Sequence, residues 1–319
     1  MKKAFLLVLV VLFVFTAVSL AATYKIGVSI PTADHGWTGG INYWAAKAIE
    51  DWEAKRDDIE FFLVASSDPQ RQVSDIEDLM VKGIDALVIL AHDSAPLTPI
   101  VAEVYESGIY VVSVDRGLLL PVQDVYIAGD NPGLGRVAGQ WMAEELGGEG
   151  KIVALEGIPC VINTERVEAF EAEIAKYPGI ELLDSQPAYW SADTGYEVMS
   201  NYLQKYPEID AVFAQDDDVL IGVLAAYEES GRDDIKTFFG GAGSKIMIKK
   251  VMDGDPLVKA DVTYPPSMIA TGISLAVFGV TGEPLEGFYQ QKVPSEIILA
   301  AELVTPENAH LYYEPDSVF

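Results

Sequence analysis

Short apolar segments alternate with longer amphipathic segments from Thr23 to about residue 262. The first apolar segment is Tyr24–Ile30, and it precedes Ile41–Ala54, in which apolar residues recur three and four positions apart. Short apolar strands separated by amphipathic helices are typical of a parallel sheet that is covered on both faces. The pattern therefore predicts an α/β fold built on parallel strands.

The alternation forms two successive series of similar size. In the first series the predicted strands are Tyr24–Ile30, Ile59–Ala65, Ile84–Leu90 and Ile109–Val114. In the second series they are Lys151–Glu156, Ile180–Leu183, Ala211–Ala214 and Thr237–Phe239. At 319 residues the chain is long enough to bury two cores. We interpret the two series as two Rossmann-like lobes with parallel sheets, joined by a multi-crossing hinge.

The elements after Pro265-Pro266 are too few to form a domain of their own, so we expect them to return to the first lobe. We assign residues 22–129 plus 265–292 to an N-terminal lobe. Residues 130–264 plus 293–319 are assigned to a C-terminal lobe and tail. A chain that crosses between lobes several times makes a hinge that bends in a defined direction.

Residues 1–21 read as a cleaved export signal. Lys2-Lys3 begin the segment, Ala4–Ala17 is apolar, and Ser19-Leu20-Ala21 provides small residues at a cleavage site. A membrane anchor is the alternative, but no basic stop-transfer cluster follows the apolar run. We expect the mature protein to be exported, soluble and acidic.

The charge balance excludes some partners. The chain has 49 acidic and 21 basic residues and a formal net charge of −28, so nucleic acid and anionic lipid would be repelled. Cys160 is the only cysteine, which forbids an internal disulfide. A nucleophilic role for this thiol is the alternative, but no histidine neighbours it.

Polar residues cluster where three predicted strands end. Ala211–Ala214 leads into three consecutive carboxylates, Asp216–Asp218, at the start of a helix. Asp115-Arg116 and the stretch 34–37 (Asp-His-Gly-Trp) follow two other strands. Because open α/β sheets bind ligands at the carboxyl ends of their strands, we predict that these ends converge on one small polyhydroxylated ligand. The alternative is that each aspartate only caps a helix.

Two tryptophans and two arginines add to this pattern. Trp37 and Trp190 lie in polar stretches after strands, where an indole face can stack on the apolar face of a sugar ring. Arg116 and Arg166 offer planar forked donors that suit adjacent hydroxyls. The alternatives are that the indoles fill gaps between helix and sheet and that Arg166 pairs with a neighbouring glutamate.

Other chemistries find little support in the motifs. The glycine-rich stretches match neither a P-loop nor a dinucleotide fingerprint, and no histidine pair has metal-ligand spacing. No nucleophile–base pattern is present either. Paired carboxylates for glycoside hydrolysis need only meet in space, so an exported carbohydrate-processing enzyme stays open as an alternative. The sequence indicates no cofactor.

Five motifs together resemble the periplasmic sugar-binding proteins of the ribose/galactose/xylose type, over Thr23 to about Val304. They are VVSVDRG (111–117), GDN (129–131), TERVEAF (164–170), SQPAYW (185–190) and VFAQDDD (212–218). The resemblance implies two lobes that close on a monosaccharide, with glucose and xylose favoured and an inositol or a furanose-like signal as alternatives. It also implies a monomer without catalytic residues that delivers its sugar to the membrane permease of an ABC importer.

The resemblance also implies roles for individual residues. His35 would be a polar contact, and Trp37 and Trp190 would be opposing rings. Asp115 and Arg116 would bind hydroxyls from the first lobe, and Arg166 and Asp216 from the second. Asn131 and Tyr264 would contribute from the crossover segments. The implied ligand-binding set is His35, Trp37, Asp115, Arg116, Asn131, Arg166, Trp190, Asp216 and Tyr264.

The chain departs from the family pattern at two positions. Relatives carry an aspartate in a Gly-x-Asp-Gly turn, whereas this chain has Gly240-Gly241-Ala242-Gly243. Some relatives carry an asparagine after the third strand, where this chain has Leu90. Both departures predict a less polar pocket at those points, and they leave the identity of the sugar open.

Overall fold

The computed structural model describes residues 23–283 and 293–319. The predicted export signal, residues 1–21, and residues 284–292 of the predicted N-terminal lobe lie outside the described residues. The strands are β1 Tyr24–Pro31, β2 Ile59–Ser66, β3 Ala86–Ile89, β4 Tyr110–Val114, β5 Val125–Gly129, β6 Glu149–Glu156, β7 Gly179–Pro187, β8 Ala211–Ala214, β9 Thr237–Phe239, β10 Asp261–Val262, β11 Glu296–Leu299 and β12 Leu303–Val304. The helices are α1 Gly36–Glu53, α2 Pro69–Val81, α3 Ser94–Glu106, α4 Asn131–Glu145, α5 Val161–Ile174, α6 Ala192–Lys205, α7 Asp217–Ser230, α8 Lys245–Asp253 and α9 Met268–Thr281.

The strands form two parallel sheets, each of which is the centre of one lobe. The first-lobe sheet has the order β11-β5-β4-β3-β1-β2, and the second-lobe sheet has the order β7-β6-β8-β9. All pairings within these two sheets are parallel. A small antiparallel pair, β10 with β12, lies in the crossover region. The α/β fold with two parallel sheets that the sequence predicts is confirmed.

Helix starts follow from local sequence. Asp68 precedes α2, and its side chain accepts the backbone N–H of Arg71, while Pro69 occupies the first turn, where no intrahelical donor is needed. Asp130 caps α4 in the same way by accepting the N–H of Gly133. Each cap begins its helix within three residues of the end of the preceding strand.

The assignment of residues 293–319 to the second lobe is wrong at β11. This strand pairs in parallel with β5 at the edge of the first-lobe sheet, and its neighbour Ser295 accepts the N–H of Tyr126. The edge of β5 offers unpaired backbone groups that a four-residue strand satisfies. The chain therefore passes between the lobes after β5, after β10 and between β11 and β12.

The apolar core continues through the crossover region. One buried cluster includes Ile26 and Val114 from the first-lobe sheet together with Phe213 and Phe239 from the second. The helix α9 packs on β4 and β3 of the first lobe. Across the described ranges 23–283 and 293–319, no helix has both the length and the apolar character that are needed to span a bilayer.

Candidate ligand-binding cleft

The carboxyl ends of strands from both sheets face one cavity between the lobes. The empty space inside it, together with its open mouth, is about 330 Å³. The lining residues are His35, Trp37, Asp115, Arg116, Ile162, Arg166, Trp190, Asp216, Ala242 and Tyr264. Eight of the nine residues that the sequence singled out are thus brought together, from segments that are far apart in the chain.

Asp115 is held rigidly at the end of β4. Its backbone has a φ of 60°, which is uncommon for a residue other than glycine, and its side chain is buried. The hydroxyl of Tyr264 donates to Asp115 Oδ1, and the hydroxyl of Tyr126 donates to the backbone oxygen of Asp115 at 2.7 Å. Burial, followed by the nearby Asp115 charge, raises the pKa of Tyr264 well above its usual value, so this phenol stays a donor.

Arg116 follows Asp115 on the first-lobe side of the cleft. Its Nη1 donates to the backbone oxygen of His92 at 2.7 Å, which anchors one end of the guanidinium. Because a guanidinium has five N–H donors, this bond leaves others for a ligand. Arg116 is partly exposed and lines the cavity.

Arg166 is buried on α5, with 4% of its surface exposed. Its Nε donates to Asn131 Oδ1 at 2.9 Å, and its Nη1 donates to the backbone oxygen of Gln215 at 3.3 Å. Its guanidinium carbon lies 4.4 Å from the centre of the Tyr264 ring. Within the described ranges no carboxylate oxygen lies within 4.0 Å of its nitrogens, so the alternative pairing with a neighbouring glutamate is not formed.

Asn131 is the predicted residue that lies outside the lining set. It is buried at the start of α4, and its carboxamide oxygen is occupied by Arg166 Nε. Asn131 thus lies behind Arg166 and orients that side chain, and a direct contact of its own with the ligand stays a prediction. Sequence reasoning placed it at a crossover segment but had no signal for its partner.

The two tryptophans occupy different environments in the cleft. Trp37 Nε1 donates to the backbone oxygen of Tyr264 at 2.9 Å, so this indole bridges α1 and the crossover segment. Trp190 stacks on His35 across the cleft, with ring centres 6.4 Å apart and an interplanar angle of 23°. Both indoles are buried, at 6% and 7% exposure.

Two glycines make room for the aromatic walls. A Cβ atom on Gly157, just after β6, would lie 2.1 Å from Trp190 Nε1. A Cβ atom on Gly129, at the end of β5, would lie 2.2 Å from Cε2 of Tyr264. Such distances are far below van der Waals contact, so only glycine allows the rings to sit where they do.

Asp216 combines the two roles that the sequence left open. Its carboxylate caps α7 by accepting the N–H of Asp218 at 2.8 Å, and it also lines the cavity. Burial, reinforced by the charges of Asp218 and Asp217, raises the pKa of Asp216 to about 7. At neutral pH this carboxyl can accept or donate a hydrogen bond.

The departures from the family pattern have different outcomes. Ala242 lines the cavity, with a backbone φ of 94°, and places a methyl group where the family resemblance implied a carboxylate. Leu90 is fully buried in the core and is not among the lining residues. Ile162 is a lining residue that sequence reasoning missed, because an apolar residue near a helix start carries no polar signal. Cys160, the residue before α5, has an exposed thiol.

Comparison with known proteins agrees with this architecture. Residues 26–283 match the family model described as the periplasmic binding protein domain. The chain belongs to this family. The resemblance inferred from the sequence motifs is thereby confirmed, as is the prediction of a binding protein in preference to an enzyme.

Individual relatives extend the comparison. The ribose import binding protein of Bacillus subtilis is 32% identical over 84% of this chain and 90% of its own length. The xylitol-binding protein of Mycolicibacterium smegmatis is 30% identical over 83% of this chain and 74% of its own length. The solved fructose-binding periplasmic domain of a hybrid two-component system is 29% identical, with a TM-score of 0.76 over 91% of this chain and 93% of that one.

Proposed function

We propose that this protein captures a small neutral monosaccharide in the cleft and delivers it to the permease of an ABC importer. One observation carries the proposal: two carboxyls, two guanidinium groups and two indoles from both lobes line a single cavity of about 330 Å³. These groups come from both lobes and face one shared space.

The polar lining suits a ligand rich in hydroxyls. A buried hydroxyl is costly unless it is hydrogen-bonded, and a sugar presents several at once. Asp115 and Asp216 can accept from these hydroxyls, while Arg116 and Arg166 can donate to them. The lining thus offers acidic and basic side chains in equal number, so acceptors and donors for a neutral ligand lie side by side.

The aromatic lining suits a ring or a carbon chain with an apolar face. Trp37 and Trp190 bring indole surfaces to the cavity, and Ile162 and Ala242 add aliphatic contacts. Glucose and xylose are the sugars that the sequence motifs favour. The ribose- and xylitol-binding relatives add a further pentose and a pentitol to the candidates. The inositol and furanose alternatives belong in the same test.

Delivery to a permease follows from closure. A ligand that contacts both lobes stabilises the closed form over the open one, because only the closed form makes all the contacts. An exported, monomeric protein with this equilibrium presents a different surface to the membrane when it is loaded. The export signal predicted at residues 1–21 and the periplasmic family model are consistent with such a place of action.

A thermal-shift screen of the mature protein against monosaccharides and polyols tests the proposal. The panel contains glucose, xylose, ribose, xylitol, myo-inositol and galactofuranose, and each hit is checked by titration calorimetry and by mass analysis of the recovered ligand. A ligand that binds the folded state raises the melting temperature by mass action. Recovery of an altered sugar, or no binding by any member, would contradict the proposal.

A matched pair of variants connects binding to the cleft. Arg166→Met should abolish the thermal shift, since it removes a buried donor set that faces the ligand. Arg71→Met replaces an exposed arginine on α2 that pairs with Asp75, and it should leave the shift intact. Equal effects of both variants would place the ligand elsewhere.

A further inference from the structure

Two aspartates that do not line the cleft lie fully buried behind its second-lobe wall. Asp217 is the first residue of α7, and Asp261 is the first residue of β10. Both have 0% exposure. Their Oδ1 atoms lie 2.2 Å and 3.3 Å from the position that a Cβ on Gly240 would occupy, so the carboxyls converge on the space that this glycine leaves free.

The hydrogen bonds around the pair are unequal. Asp217 Oδ1 accepts the backbone N–H of Gly241 at 3.0 Å, and its Oδ2 accepts the N–H of Ser244 at 2.6 Å. Asp261 Oδ1 accepts the N–H of Val262 at 2.7 Å. Asp261 Oδ2 is buried and has no partner among the described residues. Both oxygens of Asp217 thus accept from backbone donors, which favours its ionised form, whereas Asp261 has one such donor and is the carboxyl left to carry a proton.

No cation compensates the two carboxyls. Within the described ranges, no Lys, Arg or His nitrogen lies within 4.0 Å of either one. Two adjacent buried carboxylates without a counter-ion cannot both stay ionised, because desolvation and mutual repulsion act in the same direction. Burial raises the pKa of Asp261, the carboxyl assigned to carry the proton, to about 7.

We infer that Asp217 and Asp261 share one proton and that the pair positions three segments of the cleft wall. Each segment carries a lining residue. Asp216 precedes Asp217 directly, Ala242 lies between the two N–H groups that Asp217 accepts, and Tyr264 follows Asp261 by three residues. The contribution to ligand affinity rests on the proposed function, whereas the shared proton does not.

Other charged groups surround the pair, and the test must separate them. The charged groups on neighbouring elements are Asp216, Asp218, Arg166, His35 and Lys245. Arg166 donates to the backbone oxygen of Gln215, and the amine of Lys245 donates to the backbone oxygens of Pro315 and Ser317. Asp216 titrates in the same direction as the pair, so its contribution is removed first. An Asp216→Asn parent achieves this, because asparagine caps helices as well as aspartate.

The test measures unfolding of this parent between pH 5 and pH 7 without any sugar. A native state that holds one proton more than the unfolded state loses stability as pH rises, and its unfolding constant grows about tenfold per pH unit. Asp261→Asn supplies an amide donor in place of the shared proton. We expect this variant to fold, and we expect its unfolding constant to rise by less than about threefold per pH unit. If the slope, which is the rise of the unfolding constant per pH unit, is the same as in the parent, the inference is overturned.

Two further variants complete the design. Asp217→Asn turns an amide group toward the N–H of Gly241 or Ser244, so it should be less stable than Asp261→Asn at every pH; the reverse order would overturn the assignment. Asp255→Asn is the control, because Lys250 and two backbone N–H groups outweigh burial and hold the pKa of Asp255 below its usual value. It should keep the slope of the parent.

Ligand binding then tests the positioning role. For a sugar found in the screen, Asp217→Asn should lower the affinity at least tenfold, while Asp255→Asn leaves it unchanged. An unchanged affinity in Asp217→Asn would overturn the positioning role. If no sugar binds the wild-type protein, the proposed function fails, and the unfolding slopes still decide whether the proton is shared.

Discussion

Asp218 Oδ2 accepts a hydrogen bond from the backbone N–H of Gly36 at 2.6 Å, across the boundary between the lobes. Gly36 is the first residue of α1, so the carboxylate of a second-lobe residue caps a first-lobe helix. A negative charge at a helix N-terminus is favourable, and here that contribution is made only when the lobes meet. A Cβ atom on Gly36 would lie 2.7 Å from the Asp218 oxygens, so the approach requires glycine.

Asp218→Ala should therefore weaken sugar binding without unfolding either lobe. The carboxylate is partly exposed, so we expect a loss of about 1 kcal/mol, or roughly fivefold in affinity. Titration calorimetry measures the affinity, and small-angle scattering measures closure. Glu228→Ala, on the exposed part of the same helix, is the control. An equal loss in both variants would show that the interlobe bond is not the cause.

Gly157→Ala should displace the Trp190 ring. The new Cβ would meet Nε1 at 2.1 Å, and the indole cannot move without losing its stack on His35. We expect an affinity loss of more than tenfold with an altered tryptophan fluorescence, since a ring contact is worth about 0.5–1.5 kcal/mol and the cavity shape also changes. Gly39→Ala on α1, where the nearest atom is 3.9 Å away, should have little effect. Tight binding by Gly157→Ala would contradict the assigned role of Trp190.

Affinity should rise with pH between pH 5 and 7 if Asp216 accepts ligand hydroxyls. Because its pKa is about 7, the Asp216 carboxyl of the unliganded protein is largely protonated at pH 5. A ligand hydroxyl that donates to it favours the ionised form. The rise is at most about tenfold per pH unit and levels off above pH 7. Calorimetry over this range checks it, and Asp216→Asn should remove the rise. A flat profile in the wild-type protein would mean that Asp216 does not accept from the ligand.

The same carboxyl has the opposite effect on the stability of the unliganded protein. Because the folded pKa of Asp216 is raised, the native state retains a proton that the unfolded state releases above about pH 4. Stability should therefore fall as pH rises toward 7, and Asp216→Asn should be more stable than the wild type at pH 8. Chemical denaturation at pH 5 and pH 8 measures the difference. A wild-type protein that is more stable at pH 8 than Asp216→Asn would contradict it.

Asn131→Ala should lower affinity by releasing Arg166. The lost bond, Nε to Asn131 Oδ1, joins a charged donor to a buried amide, so we expect about 1.5 kcal/mol, or roughly tenfold. Calorimetry with the sugar measures this loss. Asn201→Ala, at an exposed position of α6, is the matched control. Unchanged binding in Asn131→Ala would show that Arg166 keeps its place without this partner.

The cleft was largely predictable because its polar residues follow strand ends. Asp115 directly follows β4, and Asp216 follows β8 after one intervening residue. The rule that such strand ends meet at one edge of a sheet requires no knowledge of distances. The aromatic residues gave a further signal, since Trp37 and Trp190 lie in polar stretches. Local pattern and topology agree at these positions, so sequence reasoning brought together residues as distant as His35 and Asp216, whereas the place of Tyr264 was implied by the family resemblance.

Features that depend on packing were not predictable. Which sheet edge β11 extends depends on unpaired backbone groups of β5, and four residues carry no signal for that choice. The place of Asn131 depends on where Arg166 Nε points. The convergence of Asp217 and Asp261 depends on the missing side chain of Gly240, which is a tertiary fact without a local motif.

The exposed thiol of Cys160 has a practical consequence. It is the only cysteine of the chain, and it lies two residues before Ile162 of the cavity wall. A maleimide fluorophore would therefore attach at one defined position beside the mouth of the cleft, without the need to remove other thiols. The natural chain is thus already suited to become an optical sensor, in which the emission of a single dye follows the opening and shutting of the two halves.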